Sequence, residues 1–390
     1  MAIPLIYSFR SIAIRKGSSA MAVGGIALVV IVFVTLLALG EGFRRAVASS
    51  GSASNLIILR KGSDAELQSQ VDRDAARILQ QLPEVAENAD GEKIFAAETV
   101  IILARQRRDG GETNITVRGA AKMAREVHSD VKISQGRWLT PGTDEAVIGS
   151  SLARRLEGFS VGESIRIGRY SWRIVGVFEA GGSALESELW MDTDVFMSNF
   201  KRDLYQSVLF RAAGDPKEIK ERVAKIIAND PRLRSVEVKS EKQYYEDQSK
   251  LMSSLINVLS NLLTGIMSIG AVVGAMNTMY AAVSQRQREI GCMLSMGFTP
   301  GSLFVAFMIE SLLLASLGAA IGCSASMYFD GLKTGTTNWA TFSETGFEFR
   351  VTTEILIQAS VLALFLGLIG GVLPALRAAR MKVVDALRRA

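Results

Sequence analysis

The side chains best placed for specific polar chemistry come in one short run, Arg286-Gln287-Arg288-Glu289-Ile290-Gly291, directly after the 35 uncharged residues from Leu251 to Gln285. Two guanidinium groups and a carboxylate so close together can pair ions or bind a partner surface. A second candidate is Glu310, the single charge between Leu303 and Met327. An ionisable group inside an apolar run is costly, which makes it a functional candidate. Nothing else in the sequence forms a catalytic constellation. The chain has one histidine, His128, and two cysteines, Cys292 and Cys323. One histidine cannot build a metal site, and the cysteines lack zinc spacing and imply no disulfide framework. No metal is expected, and His128 is read as a polar surface or loop residue. No G-x-x-x-x-G-K-[ST] phosphate cradle occurs, and Gly181-Gly182-Ser183 is read as a flexible loop.

The elements that must position these residues are membrane helices. Of 390 residues, 48% are hydrophobic, against ~45% in soluble domains, and mean hydropathy is +0.23. The surplus is clustered in four runs, each long enough for the ~20 residues that cross a bilayer. The expected spans are 20–41, the later part of 251–283, 303–328 and 354–376. The first run exceeds the 7–15 apolar residues of a signal peptide and is read as a retained span. Net charge is +5, and the cations flank apolar runs, which argues against nucleic acid. Arg10, Arg15 and Lys16 precede the first span, Arg286 and Arg288 follow the second, and Arg377, Arg380, Lys382, Arg388 and Arg389 follow the fourth. Lysine and arginine gather on the cytoplasmic side. The segment 1–19, the coupling segment 284–302 and the tail 377–390 are therefore expected inside, with 42–250 and the loop 329–353 outside.

The outer segment reads as a mixed α+β domain. Asn55 to Leu59, Thr99 to Ala104, Ile115 to Val117 and Glu145 to Gly149 have strand composition. Ser164 to Ile167 and Ser171 to Phe178 read as a hairpin, and Thr99 to Val117 turns near Asp109-Gly110-Gly111. Helices are expected from Asp64 to Leu82, after Gly149 through Leu156, and from Asp215-Pro216 to Ala228. Two subdomains are expected, with 130–213 inserted into a unit made of 42–129 and 214–250. The run after Lys250 is too long for one span: 35 helical residues extend about 50 Å. It is read as a stalk that enters the membrane. Leu251, Leu255, Val258, Leu262 and Ile266 form an apolar stripe for the first span or a second copy, and Gly265, Gly270, Gly274 and Ala275 permit close helix contact.

Ser284 to Gly291, followed by Met296-Gly297-Phe298-Thr299-Pro300, resembles the R-x-x-E-I-G…(A/M)-x-G-(A/F) segment of the MacB/LolC/FtsX-type permeases of ABC transporters. The chain is also similar to that family at Glu310, at Gly371 to Arg380, at Val384 to Arg388, at Asp144 to Ala153 with Gly162, and at Ile174 to Phe178; Val383 stands where a proline is frequent. Each motif is short, but together they cover essentially the whole chain in order. The resemblance implies four transmembrane helices with a MacB-like external domain between the first two, in a bacterial inner membrane. It implies a coupling helix that docks on an ATPase, with Arg286, Arg288 and Glu289 as polar contacts, Ile290, Met293 and Leu294 as an apolar face, and Gly291 and Gly297 as motif glycines. Thr299 and Pro300 would restart the next helix. Glu310 would pair with an arginine such as Arg377, bond a neighbouring helix, or only anchor packing.

The resemblance further implies a permease served by two copies of a separate ABC ATPase, which would bind ATP and Mg, while this chain binds no cofactor. A second permease copy, membrane lipids and an external adaptor or substrate-binding protein complete the implied partners. Its implied work is to pass ATP-driven motion to the external domain and move or extract a hydrophobic or lipid-linked cargo: a lipoprotein, lipid, peptide or drug. The alternative is FtsX-like signalling, which regulates an external partner without transport. A secondary transporter is disfavoured by four spans without an inverted repeat. An anchored enzyme is disfavoured because the external domain offers only scattered carboxylates such as Glu186 and Glu188.

Overall fold

The computed structural model describes residues 16–107, 110–338 and 341–382. Arg10, Arg15, Asp109, Val383, the motif at 384–388 and Arg389 lie outside them, as does the side chain of Leu251. The chain divides into two compact units: Gly42–Ser254 with Lys333–Glu348, and the described parts of 1–41, 255–332 and 349–390.

The first unit begins in the end of α1 (Lys16–Ala48) and continues through β1 (Asn55–Arg60), α2 (Arg73–Gln80), β2 (Phe95–Gln106), β3 (Glu112–Ala120), α3 (Ala124–Val127) and β4 (Lys132–Gly136). There follow β5 (Glu145–Gly149), α4 (Ser150–Arg155), β6 (Ser164–Ile167), β7 (Tyr170–Glu179), β8 (Glu188–Asp192), α5 (Thr193–Asn199), β9 (Ser207–Arg211), α6 (Pro216–Asn229) and β10 (Val236–Ser240). Ten strands make one sheet in the order β10-β1-β9-β2-β3-β8-β5-β7-β4, with β6 paired to β7. The expected strands at 55–59, 145–149 and 164–178 are present, and Asp215 caps α6 through the Lys217 amide, with Pro216 at its first position.

Strand β2 changes partners along its length. Phe95–Glu98 pairs with β9, whereas Thr99–Gln106 pairs with β3. The hydrophobic cores divide at the same place: one holds Leu56, Phe95, Phe210 and Val223, the other Ile101, Ile115, Trp172 and Phe196. The change of partner thus falls between Glu98 and Thr99, ahead of residue 130, where the inserted part is expected to begin. A strand that changes partner within one sheet carries no break in its own pattern, so its sequence does not show the change. The expected helix from Asp64 to Leu82 is also shorter. Residues Glu66–Gln68 form a single 3-10 turn, and Val71 bridges to Tyr205, its N–H reaching the Tyr205 carbonyl at 2.7 Å. Helix α2 starts only after Asp72.

At the seam between the two cores lies a buried charge cluster. Arg118, 1% exposed, donates from Nε to Glu188 at 2.7 Å and from Nη1 to Glu98 at 2.8 Å and Glu66 at 2.9 Å. Burial alone would lower the Arg118 pKa; the carboxylates of Glu188, Glu66 and Glu98 outweigh it and raise it. Trp190 Nε1 donates to Glu188 at 2.7 Å. Glu186 and Glu188, read from sequence as scattered carboxylates, are both buried. His128 is 5% exposed, not a surface residue: its Nε2 lies 3.3 Å from Glu98 Oε1.

The second unit holds most of the apolar runs. Among the described residues four helices are long and apolar enough to cross a membrane: Ser19–Ala48 of α1, Glu241–Gln285 (α7), Pro300–Phe329 and Thr353–Ala379 (α10), with α8 (Gln287–Ser295) after α7 and α9 (Pro300–Ser326) within the third. Helix α7 starts at Glu241 rather than Leu251 and is unbroken for 45 residues, about 68 Å at 1.5 Å per residue. The loop expected at 329–353 instead contains a hairpin, β11 (Lys333–Asn338) paired with β12 (Ser343–Glu348), that belongs to the first unit. There Glu344 accepts from Arg155 and Thr113, Gly346 N–H donates to Ser187 Oγ at 2.8 Å, and Phe347 meets the Phe43 ring edge-on at 5.7 Å.

Replacing Arg118 by methionine strands three carboxylates in the seam. Removing one partner of a buried ion network costs about 3–5 kcal/mol. The Arg118→Met chain is expected to unfold at a markedly lower temperature, read by the loss of Trp fluorescence. An unchanged midpoint would contradict the seam's role.

Candidate functional site

Helix α7 ends in a sharp break. Arg286 takes φ −111°, ψ 16° at the N-cap of α8, and the chain turns into the candidate coupling helix. Arg286 is 8% exposed and Glu310 5%. Arg286 Nη1 donates to Glu310 Oε2 at 3.1 Å and Nε to Glu289 Oε2 at 3.2 Å, while the guanidinium lies 5.6 Å from the Phe307 ring centroid. Glu310 is thus paired, but with Arg286 rather than Arg377. Arg377 instead lies over the Tyr280 ring at 5.6 Å. Arg286 is one helix break from Glu310 in space yet 24 residues away in sequence, a closure that only the fold reveals.

The rest of α8 divides by face. Ile290 is fully buried and Gly291 is buried, and Met293 and Leu294 pack beside them against Val283, Leu303, Phe307 and Ala378. The expected apolar face is therefore turned into the helix bundle. Arg288, Glu289, Cys292, Ser295 and Met296 form the exposed face. Gly297, at φ +92°, closes the helix, its amide reaching the Leu294 carbonyl and that of Phe298 the Met293 carbonyl. Thr299 then caps α9 by accepting from the Ser302 amide.

Close helix contacts fix this end. A Cβ on Gly367 would lie 2.4 Å from the Ala315 Cβ, and one on Gly322 2.6 Å from Val30. Ser311 Oγ donates to the Gly367 carbonyl at 2.6 Å. Gly370 abuts Ala275 of α7, while a Cβ on any of the expected contact glycines Gly265, Gly270 and Gly274 would have nothing within 4 Å among the described residues. The stripe residues Leu255, Val258, Leu262 and Ile266 are 53–64% exposed. The first helix meets α7 elsewhere, at Gly40 against Ile256.

In the first unit a cleft of about 410 Å³ opens between the hairpin and α4, lined by Arg107, Arg154, Arg155 and Lys333 against Glu186, Glu344 and Glu348. This mixed lining suits neither an apolar cargo nor a simple anion. Among the described residues no group of three or more His, Cys, Asp or Glu side chains could hold a metal.

Glu310→Leu takes from the buried Arg286 cation its buried carboxylate and leaves it the exposed Glu289, and is expected to lower stability by up to about 3 kcal/mol, whereas adding Arg286→Met should restore most of it. Detergent thermal unfolding of the single and double variants measures this; equal losses in all would sink the pair. Gly297→Ala, strained at positive φ, should cost about 1 kcal/mol in the same assay.

Residues 19–226 match the family model of the MacB-like periplasmic core domain, and residues 261–383 that of the FtsX-like permease C-terminal. The chain is 26% identical, over 97% of its length and 60% of the relative's, to the macrolide export ATP-binding/permease protein MacB of Bdellovibrio bacteriovorus. It spans about 60% of the length of such MacB relatives. It is 24% identical to an uncharacterized ABC transporter permease, YknZ, of Bacillus subtilis, over 97% of this chain and 96% of that one. Among solved structures it is similar to the extracellular domain of YknZ from Gram-positive bacteria, at 17% identity and TM-score 0.37, covering 47% of this chain and 99% of that one. It is also similar to the periplasmic region of MacB from Actinobacillus actinomycetemcomitans, at 12% identity and TM-score 0.38, covering 51% and 94%. With a matching model over more than half its length and the permease model over most of the remainder, the chain belongs to the ABC transporter permeases that join a MacB-like periplasmic core domain to an FtsX-like C-terminal part.

Proposed function

We propose that this chain passes ATP-driven motion from a separate ATPase to its external domain, and so moves or extracts a hydrophobic or lipid-linked substrate on the outer side of a bacterial inner membrane. The observation that carries this reading is α7: one unbroken helix that begins at the end of β10 and stops at the break before α8. A rigid rod of that length transmits displacement rather than absorbing it in a hinge.

In this reading both termini lie in the cytoplasm, as the flanking cations require, and α8 meets the ATPase through Arg288, Glu289 and Met296. Arg286, Ile290, Met293 and Leu294 hold α8 to the bundle, so a push on its outer face is passed on. Two ATPase copies bind ATP and Mg, and this chain binds neither. A second, identical permease copy covers the exposed stripe of α7, and an external adaptor or substrate-binding protein receives the cargo.

The test is to purify the tagged chain from its host in mild detergent, identify a retained ABC ATPase and measure ATP hydrolysis. Arg288→Glu and Met296→Asp change the outer face alone and are expected to cut retention about tenfold with the unfolding temperature unchanged. If wild type retains no ATPase, or the variants retain as much as wild type, the coupling role of α8 fails.

A further inference from the structure

We propose that the His128 ring, clasped between Glu98 of β2 and Glu241 of α7, is a proton-binding site that fastens the first turn of α7 to the external sheet.

The geometry sets the argument. Nε2 of the ring lies 3.3 Å from Glu98 Oε1, and Nδ1 lies 3.9 Å from Glu241 Oε1. Both carboxylates are buried, Glu98 at 0% and Glu241 at 1% exposure. An ionised carboxylate only accepts hydrogen bonds, and a neutral imidazole has one N–H to give. A neutral ring can therefore serve one of its two neighbours, whereas the imidazolium serves both. The other oxygens are already engaged: Glu98 Oε2 accepts from Arg118 at 2.8 Å, and Glu241 Oε2 accepts from the Ser52 amide at 2.9 Å and Asn55 Nδ2 at 3.0 Å. Glu241 Oε1 is buried without a hydrogen-bond partner among the described residues, which leaves the proton on Nδ1 as its only nearby counterpart.

The surrounding charges support the cationic ring. Facing it among the described residues are Glu98 and, beyond it, Glu66 and Glu188, Glu241 on α7, whose carboxyl pKa burial raises against the pull of His128, and Arg118 as the opposing cation; Trp190 lies 5.2 Å away with no charge. Tyr244 and Tyr245 of α7 are buried near the cluster, and burial pushes their hydroxyls far above the ordinary range, so they remain neutral. Burial alone would lower the His128 pKa, but Glu98, and after it Glu241, outweigh burial and Arg118 and raise it above 6.5. A raised folded-state pKa adds stability that is full below about 6.5 and is lost as pH climbs through the folded value. The fastening thus holds while the ring is protonated and both carboxylates are ionised, and it slackens as pH climbs through the folded value, above 6.5. It is a property of the external domain and stands apart from the ATPase reading.

His128 is the one histidine in the sequence, so the site can be watched directly. The full chain, carrying a tag without histidine, is labelled with ¹⁵N-histidine in detergent micelles and titrated by NMR. The expected ring loses its proton above the ordinary histidine value of about 6.5, and Glu241→Gln should move that titration to lower pH. Hydrogen exchange over residues 241–250, corrected for intrinsic rate, should show protection falling about tenfold per unit of pH through the same titration, with no such step in His128→Gln. A ring that titrates at or below the ordinary histidine value, or a titration that Glu241→Gln leaves in place, overturns the proposal. So does a protection step that His128→Gln retains.

Discussion

A charge taken out of water costs several kcal/mol unless it is paired, and α7 has a buried ionic contact at each end. Its first residue, Glu241, meets His128. The residue after its last, Arg286, meets Glu310. Neither contact can be exchanged for water without a penalty, so both ends of the rod hold to their own surroundings. Much else follows from that constraint. The seam cluster gives His128 its anionic neighbours. Phe307 and the apolar face of α8 shield Arg286. Small residues let α1, α9 and α10 close around the second pair.

The external domain is organised about the same seam. Strand β2 changes partner within the sheet, and at that point stand Glu98 and Thr99, with Ser207 and Gln206 opposite. Arg118 collects carboxylates from β2, β8 and the 3-10 turn. The cluster therefore joins the two cores as a polar joint where an apolar one would have merged them. The hairpin β11–β12 belongs to this unit, although both helices that flank it in sequence belong to the other.

Much of this could be read from residues alone, for reasons that also explain what could not. Four apolar runs over twenty residues, one of them interrupted only by Glu310, have few alternatives to spanning a bilayer. Hairpins at 164–178 and the helix from Pro216 are fixed by local turn and cap chemistry. What escaped depends on distant partners. Val71 fits a helical period but bridges to Tyr205 instead. The first turns of α7 are polar and look like loop, yet they contain no glycine or proline and continue the helix. Thr334, Thr336, Thr337 and Thr345 were the available signal for the β11–β12 hairpin, as β-branched residues favour strands. The run 286–297 was legible as a site, but not its division into a buried and an outer face: Arg286 reads as a docking charge until Glu310 is seen beside it. His128 was missed because a lone histidine has no pattern, and only the approach of β2 and α7 gives it neighbours.

The claim on which the rest turns is that α7 carries motion as a rigid rod. It is tested most directly by spin-label distances between the external domains of two copies, labelled at Arg169→Cys after Cys292→Ser and Cys323→Ser, with the partner ATPase held in its ATP-bound form or free of nucleotide. The account predicts that ATP shifts the distance distribution in the native helix, and that Val258→Pro, which breaks the helix midway, abolishes the shift while leaving the ATPase bound. A shift that survives the broken helix, or a native complex whose distances ignore ATP, would contradict it.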